Sequence, residues 1–148
     1  MPNTTITILR RLRESGELTI QELAKLLPLQ HGDHRDFYLL ASLVARGLID
    51  DPYFPAKDQN GTRVKEQLLA RKFYATAFAD KSATYQGHTW SIHGSGETLK
   101  DQKYALSGLG QIYLEEFETK RADRLWSIAT STVAGIAVAL ATFYLGVK

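Results

Sequence analysis

Thr19-Ile20-Gln21-Glu22-Leu23-Ala24-Lys25-Leu26-Leu27 sets a threonine three residues ahead of a glutamate and follows the pair with leucines. That spacing lets the Thr19 hydroxyl accept from the Glu22 N–H while the Glu22 carboxylate reaches back to the Thr19 N–H, so a helix is expected to open here. Leu23, Leu26 and Leu27 recur at helical spacing and should face inward, and Pro28 lies just past them. Upstream, Asn3 or Thr4 can cap a first helix with Ile6, Leu9 and Leu12 as its apolar stripe and Gly16 as its stop. Downstream, Gln30-His31-Gly32-Asp33 reads as a turn, and Asp33 can cap a third helix carrying Phe37, Leu40, Val44 and Leu48. Gly47 falls where a left-handed residue would end that helix, and Leu48-Ile49 begins an extended stretch.

A second block lies far along the chain. Tyr104-Ala105-Leu106-Ser107-Gly108-Leu109-Gly110-Gln111-Ile112-Tyr113-Leu114-Glu115 follows the pattern Leu-Ser/Thr-x-x-Gly-x-x-Tyr/Phe-Leu. Together with Thr19–Ala24 and Leu43-Val44-Ala45-Arg46-Gly47-Leu48-Ile49, it resembles the winged helix-turn-helix family. The resemblance covers roughly 65 residues. It implies that Thr19–Ala24 is the second helix, that Leu43–Ile49 closes the third, and that the downstream block leads from the last wing strand into a carboxy-terminal helix. It also implies DNA binding through the third helix, whose exposed positions would be His34, Arg35, Tyr38, Ser42 and Arg46; Arg10, Arg11 and Arg13 on the first helix are candidate phosphate contacts or equally a solvated surface.

The middle of the chain departs from that pattern. A wing is a short hairpin, yet 53 residues separate Asp50 from Tyr104. Asp51-Pro52-Tyr53-Phe54-Pro55 and Asn60-Gly61 are loop and turn signals. Thr62 to Ala79 reads as a further helix with Val64, Leu68, Phe73 and Phe78 among its apolar positions. Tyr85 to Ile92 reads as a strand with Trp90 and Ile92 on one face, and Gly94-Ser95-Gly96 as a flexible link.

From Leu125 to Val147, 23 consecutive residues include no Asp, Glu, Lys, Arg, His, Asn, Gln or Pro. As a helix this stretch would span about 34 Å, enough for a hydrocarbon core of about 30 Å. Trp126 and Tyr144 lie near its ends, where amphipathic rings prefer the headgroup region. A buried core helix of a soluble protein is usually shorter and keeps a polar stripe, so a transmembrane span is the expectation. Lys120, Arg121 and Arg124 precede it and Lys148 follows, which places residues 1–124 in the cytoplasm. Met1 to Arg13 holds no apolar run of the signal-peptide kind, so a tail-anchored protein is expected, in a bacterial inner membrane as the simplest host. Ser127, Ser131, Gly135 and Ala139 are spaced by four, a face along which two spans can approach closely. No proline occurs from Leu109 to Val147, so one helix is expected to run from the domain into the span, with Leu109, Ile112, Tyr113 and Phe117 packing back on the domain.

Charge separates the function classes. Eighteen Lys and Arg against sixteen Asp and Glu give a net charge of +2, which excludes a chain that coats nucleic acid by charge alone. Residues 1–50 carry six basic and six acidic side chains. A DNA-binding face usually concentrates positive charge, and here Asp33 and Asp36 would sit beside the phosphates.

The sequence assembles no catalytic constellation. The absence of cysteine excludes disulfides, thiol nucleophiles and thiolate zinc sites. His31 with His34 and His88 with His93 lack further ligands at a recognisable spacing. Gly94-Ser95-Gly96-Glu97-Thr98-Leu99-Lys100 lacks the order of a phosphate-binding loop, and Glu115, Glu116 and Glu118 read as a solvated helix face.

The expectation is therefore a mainly α, α+β chain. Residues 1–50 form the helical core of a winged-helix-like domain, 51–103 an enlarged wing insertion, 104–124 the closing strand and helix, and 125–147 a transmembrane helix. Its function is expected to be a non-enzymatic, membrane-anchored adaptor that docks a cytoplasmic protein, without a cofactor. A membrane-tethered DNA-binding regulator and a small oligomerising membrane-active effector are the alternatives, and the bilayer and a second copy of the chain are expected partners.

Overall fold

A computed structural model describes residues 3–51, 66–78, 82–91, 99–124 and 126. The fold is mixed α+β. Helix α1 (Thr4–Ser15) is capped by Asn3, whose side chain accepts from the Thr5 N–H at 3.2 Å. It buries Ile6, Ile8, Leu9 and Leu12. Strand β1 (Glu17–Thr19) leads into α2 (Ile20–Ala24). The expected capping box is present: the Thr19 N–H donates to Glu22 Oε2 at 2.8 Å and the Glu22 N–H donates to Thr19 Oγ1 at 3.4 Å. Of the three leucines expected inward, Leu23 and Leu27 are buried and Leu26 is half-buried.

The third helix begins as a 3-10 turn (His34–Phe37) and becomes α3 (Tyr38–Ala45). Its end shows why Gly47 is a glycine. The Gly47 N–H donates to the Val44 carbonyl and the Leu48 N–H to the Leu43 carbonyl, each at 2.9 Å, while Gly47 holds φ at 73°. This double closure needs a left-handed residue at its hinge. Strand β2 (Ile49–Asp50) follows.

Helix α4 (Glu66–Phe78) supplies most of what the insertion contributes to the core. Leu69, Ala70 and Phe73 are buried, and α4 packs on α2, α3 and the 3-10 turn. Phe78 is 67% exposed, against its expected place in the apolar stripe, and Val64 lies outside the described residues. Two strands, β3 (Ser82–Tyr85) and β4 (His88–Ser91), form an antiparallel hairpin where a single strand from Tyr85 was expected. Gln86 and Gly87 make its two-residue turn with φ of 49° and 78°, the handedness that matches the twist of paired strands. Ala75, Ala83 and Leu99 form a small second core, with Tyr85 and Trp90 packed against it.

Strand β5 (Lys103–Leu106) is the centre of a three-stranded antiparallel sheet of order β1-β5-β2. Leu18 stands opposite Tyr104, and Ile49 opposite Leu106. The chain is helical over residues 108–124 (α5). It divides into two compact units, Met1–Leu114 and Glu115–Lys148. In the first, Ser107 caps α5: the Gly110 N–H donates to Ser107 Oγ at 2.9 Å, and the Ser107 hydroxyl donates to the Gly47 carbonyl. This places Gly110 directly over the Leu48 carbonyl, where a Cβ would overlap the oxygen. The helix is thereby rotated so that Gly110 and Leu114 face the sheet. Steps of about 100° per residue then leave Leu109, Ile112 and Tyr113 largely exposed and not buried against the domain as expected, although the Leu109 side chain lies beside Gly47; Phe117 is half-buried.

In the second unit, the Thr119 hydroxyl donates to the Glu115 carbonyl and Lys120 lies 3.3 Å from Glu116. Among the described residues no helix is long and apolar enough to cross a membrane. The expected span at 125–147 lies outside the described residues except for Trp126, which is helical and exposed.

Candidate functional site

The start of the third helix is built around Asp36. Its carboxylate accepts from the backbone N–H groups of Gln30, His31 and Gly32 at 2.7 to 3.1 Å, so the turn is wrapped on one side chain. Removal from water raises the Asp36 pKa and is the largest single influence. The three amide donors together outweigh it and hold the group below the ordinary carboxylate value. Asp33 caps the 3-10 turn through the Arg35 N–H at 2.8 Å. It also grips the Arg35 guanidinium, with Nε 3.0 Å from both carboxylate oxygens and an Nη at 2.9 Å. That grip lowers the Asp33 pKa and raises that of Arg35.

This arrangement changes what the surface offers. Arg35, expected as an outward-facing cation, is bound to a carboxylate two residues away. His34 turns toward the hairpin, where its Nδ1 and the Tyr85 hydroxyl share a hydrogen bond of 3.2 Å. Its ring lies 6.0 Å from that of Tyr38 and 5.7 Å from that of Tyr85. Tyr74 of α4 extends the cluster: its ring is 4.9 Å from Tyr85 and 5.3 Å from Phe78, and its hydroxyl donates to the Gly32 carbonyl at 3.0 Å. Beside it, Leu29, Gly32, Asp36, Phe37, Tyr74 and Phe78 line an apolar cavity of about 120 Å³. Such a dent accepts one apolar side chain, and the aromatic rim offers contact area at low entropic cost.

The structure thus brings together His34 and Tyr38 of the expected third-helix face. Ser42 is half-buried one turn on, and Arg46 is exposed beyond it. Tyr74, Phe78 and Tyr85 belong to the same surface and were not expected there. They stand 40 to 51 residues from His34, and the one available signal is the aromatic density of the insertion.

Arg10, Arg11 and Arg13 all lie on α1. Arg11 and Arg13 are exposed, Arg10 is half-buried, and Arg11 stands 3.8 Å from Glu14. Arg11 and Lys25 line a shallow groove of about 230 Å³ with Leu18, Glu22 and Leu26. Lys120, Arg121 and Arg124 are exposed on α5. Ser127, Ser131, Gly135, Ala139 and Tyr144 lie outside the described residues.

A second polar group is internal. Lys72 Nζ lies 3.0 Å from Asp51 Oδ2, both side chains being almost wholly buried, and Gln102 Nε2 donates to the other Asp51 oxygen. Burial pulls the Lys72 pKa down against the opposing pull of Asp51. Burial, aided by Asp51, pushes the Tyr104 hydroxyl well above its ordinary value. This group ties α4 to Asp51 at the end of β2 and to Gln102 just before β5. Among the described residues no group of three His, Cys, Asp or Glu side chains could hold a metal ion. A comparison with known protein families, with curated proteins and with solved structures finds no match for this chain.

Proposed function

We propose that the chain is a non-enzymatic, single-pass membrane adaptor whose winged-helix-like domain docks a cytoplasmic protein. Support for the winged-helix-like part comes from the order α1, β1, α2, α3, β2 and, after the inserted α4 and β3–β4 hairpin, β5, with the three strands β1, β5 and β2 in one sheet. The two separated sequence blocks also meet, through the Ser107 contact with the Gly47 carbonyl. Support for the anchor comes from the uncharged stretch 125–147 and the basic residues that precede it.

The observation that carries the docking reading is the surface at the start of the third helix. In a helix-turn-helix those residues enter the major groove and need positive charge. Here the helix start presents His34 and Tyr38, which with Tyr74 and Tyr85 form an aromatic cluster beside an apolar cavity lined by Leu29, Phe37, Tyr74 and Phe78, and Arg35 is paired with Asp33. Aromatic rims around a small dent suit an apolar anchor on a protein partner. The tethered DNA-binding regulator stays as second reading because Arg11 and Lys25 share one groove.

The test uses the full chain in lipid nanodiscs. Its affinity for mixed-sequence duplex DNA is measured across a salt series, alongside site-specific photo-crosslinking in cells from positions 38 and 85. Adducts with one discrete protein from both positions, absent from position 25, with shallow or no DNA binding, support the adaptor. A salt slope near −4 or steeper, meaning roughly four or more neutralised phosphates, moves the regulator to the front.

A further inference from the structure

We propose that Leu109, Ile112 and Tyr113 form the contact between two copies of this chain held in the same bilayer, a proposal that rests on the membrane anchoring inferred above. The three side chains are 62%, 55% and 43% exposed. They stand at positions i, i+3 and i+4 of α5 and therefore share one helix face. The rotation that exposes them is imposed by the Gly110 contact with Leu48, so the face is a fixed feature of the fold.

The size of the patch argues for its occupant. Three side chains offer at most about 300 Å² per chain, whereas a stable association of free proteins needs roughly 800 Å² from each partner. A partner arriving from solution would have too little to hold. A copy anchored in the same membrane has already lost most of its translational freedom, so a small patch suffices at the effective concentration that tethering creates. Geometry points the same way. Two chains inserted in one orientation are related by an axis along the membrane normal, which sets Leu109 and Ile112 of one copy at the height of Leu109 and Ile112 of the other. The patch is uncharged, so it is complementary to itself. The spacing of Ser127, Ser131, Gly135 and Ala139 in the stretch that follows favours close approach of the same two chains.

The natural chain has no cysteine, so single-cysteine variants report without background. Full-length Leu109→Cys, Ile112→Cys, Gln111→Cys and Glu118→Cys are expressed, and membranes are washed with carbonate before mild copper oxidation. The expected result is retention in the membrane pellet and disulfide-linked dimers forming at least tenfold faster at 109 and 112 than at 111 and 118. Ile112→Glu, combined with Leu109→Cys, should cut that dimer at least fivefold while the pellet fraction stays unchanged. Loss of the chain to the carbonate supernatant overturns the anchoring reading and this inference with it. Retention with equal or absent crosslinking at all four positions overturns this inference alone. Dimers that survive Ile112→Glu assign association to the span and also overturn it.

Discussion

Gly110 lies with its Cα against the carbonyl oxygen of Leu48, at a distance that leaves no room for a side chain. The contact is backbone on backbone, so neither partner can yield by changing a rotamer. It explains why the block Ser107-Gly108-Leu109-Gly110 has its glycine three residues after its serine. The serine caps the helix and grips the Gly47 carbonyl, and the glycine at that spacing is the residue the capped helix presses onto the Leu48 carbonyl.

Gly110→Ala is expected to destabilise the fold by about 2–3 kcal/mol, because the overlap is relieved only by moving α5 or the Gly47–Leu48 corner. Gly108→Ala is the control. Nothing lies within 4 Å of a Cβ at that position, so the change should be neutral or stabilising by up to about 1 kcal/mol. Urea unfolding of the two variants in detergent, followed by circular dichroism, gives the comparison.

Removing one member of the Lys72–Asp51 pair leaves the other charged and buried. Lys72→Met alone and Asp51→Asn alone should each cost about 3–5 kcal/mol. The double variant Asp51→Asn/Lys72→Met should cost less than either single change, since the two opposite charges of this buried pair are removed together. A double-mutant cycle by thermal unfolding tests this, and additive losses would contradict it.

Asp36 sets an acid limit. Its folded pKa is depressed below the ordinary value of 3.8, so the stabilisation it provides is complete above that value and is lost as pH falls through the folded one. Wild-type stability should therefore fall below about pH 4. Asp36→Asn should be less stable at pH 7 and should close the gap with wild type as the pH drops toward 2. Urea midpoints measured from pH 7 to pH 2 check the sign, and a gap that widens with acid would refute it.

Tyr85→Phe removes one hydroxyl from the aromatic surface and keeps its rings. The hydrogen bond to His34 Nδ1 is partly buried, so its loss should cost about 1 kcal/mol. A changed Nδ1 shift for His34 in ¹⁵N spectra, with the hairpin otherwise intact, is the expected signature. If crosslinking from position 38 falls together with that shift, His34 takes part in docking through its orientation.

The helix starts, and the ends at Gly16 and Gly47, were legible because they rest on local chemistry, whereas α2 ends at Ala24, short of the expected Leu26 and Leu27. Asn3, Thr19, Asp33 and Gly47 cap or close their helices with atoms no more than a few residues away, and a spacing rule detects such bonds. The hairpin at Gln86-Gly87 was read as one strand because alternation of side chains continues through a tight turn and Gln is a weak turn signal. Of the aromatic surface only His34 and Tyr38 were legible, as exposed positions of the third helix; their joining with Tyr74 and Tyr85 was not. His34 and Tyr85 are 51 positions apart, and their meeting depends on α4 docking against α3.

By itself, then, the amino-acid sequence determined where the first three helices start, the ends at Gly16 and Gly47, the near-neutral charge that argues against simple DNA coating, and the uncharged stretch at 125–147. Only the tertiary structure decided which side of α5 faces outward, that Arg35 is held by Asp33, and that tyrosines from the insertion complete the surface begun by His34. Capping and hydropathy are properties of neighbouring residues and survive in any fold. Which faces meet is set by packing among distant elements, and here one glycine against one carbonyl chose the rotation.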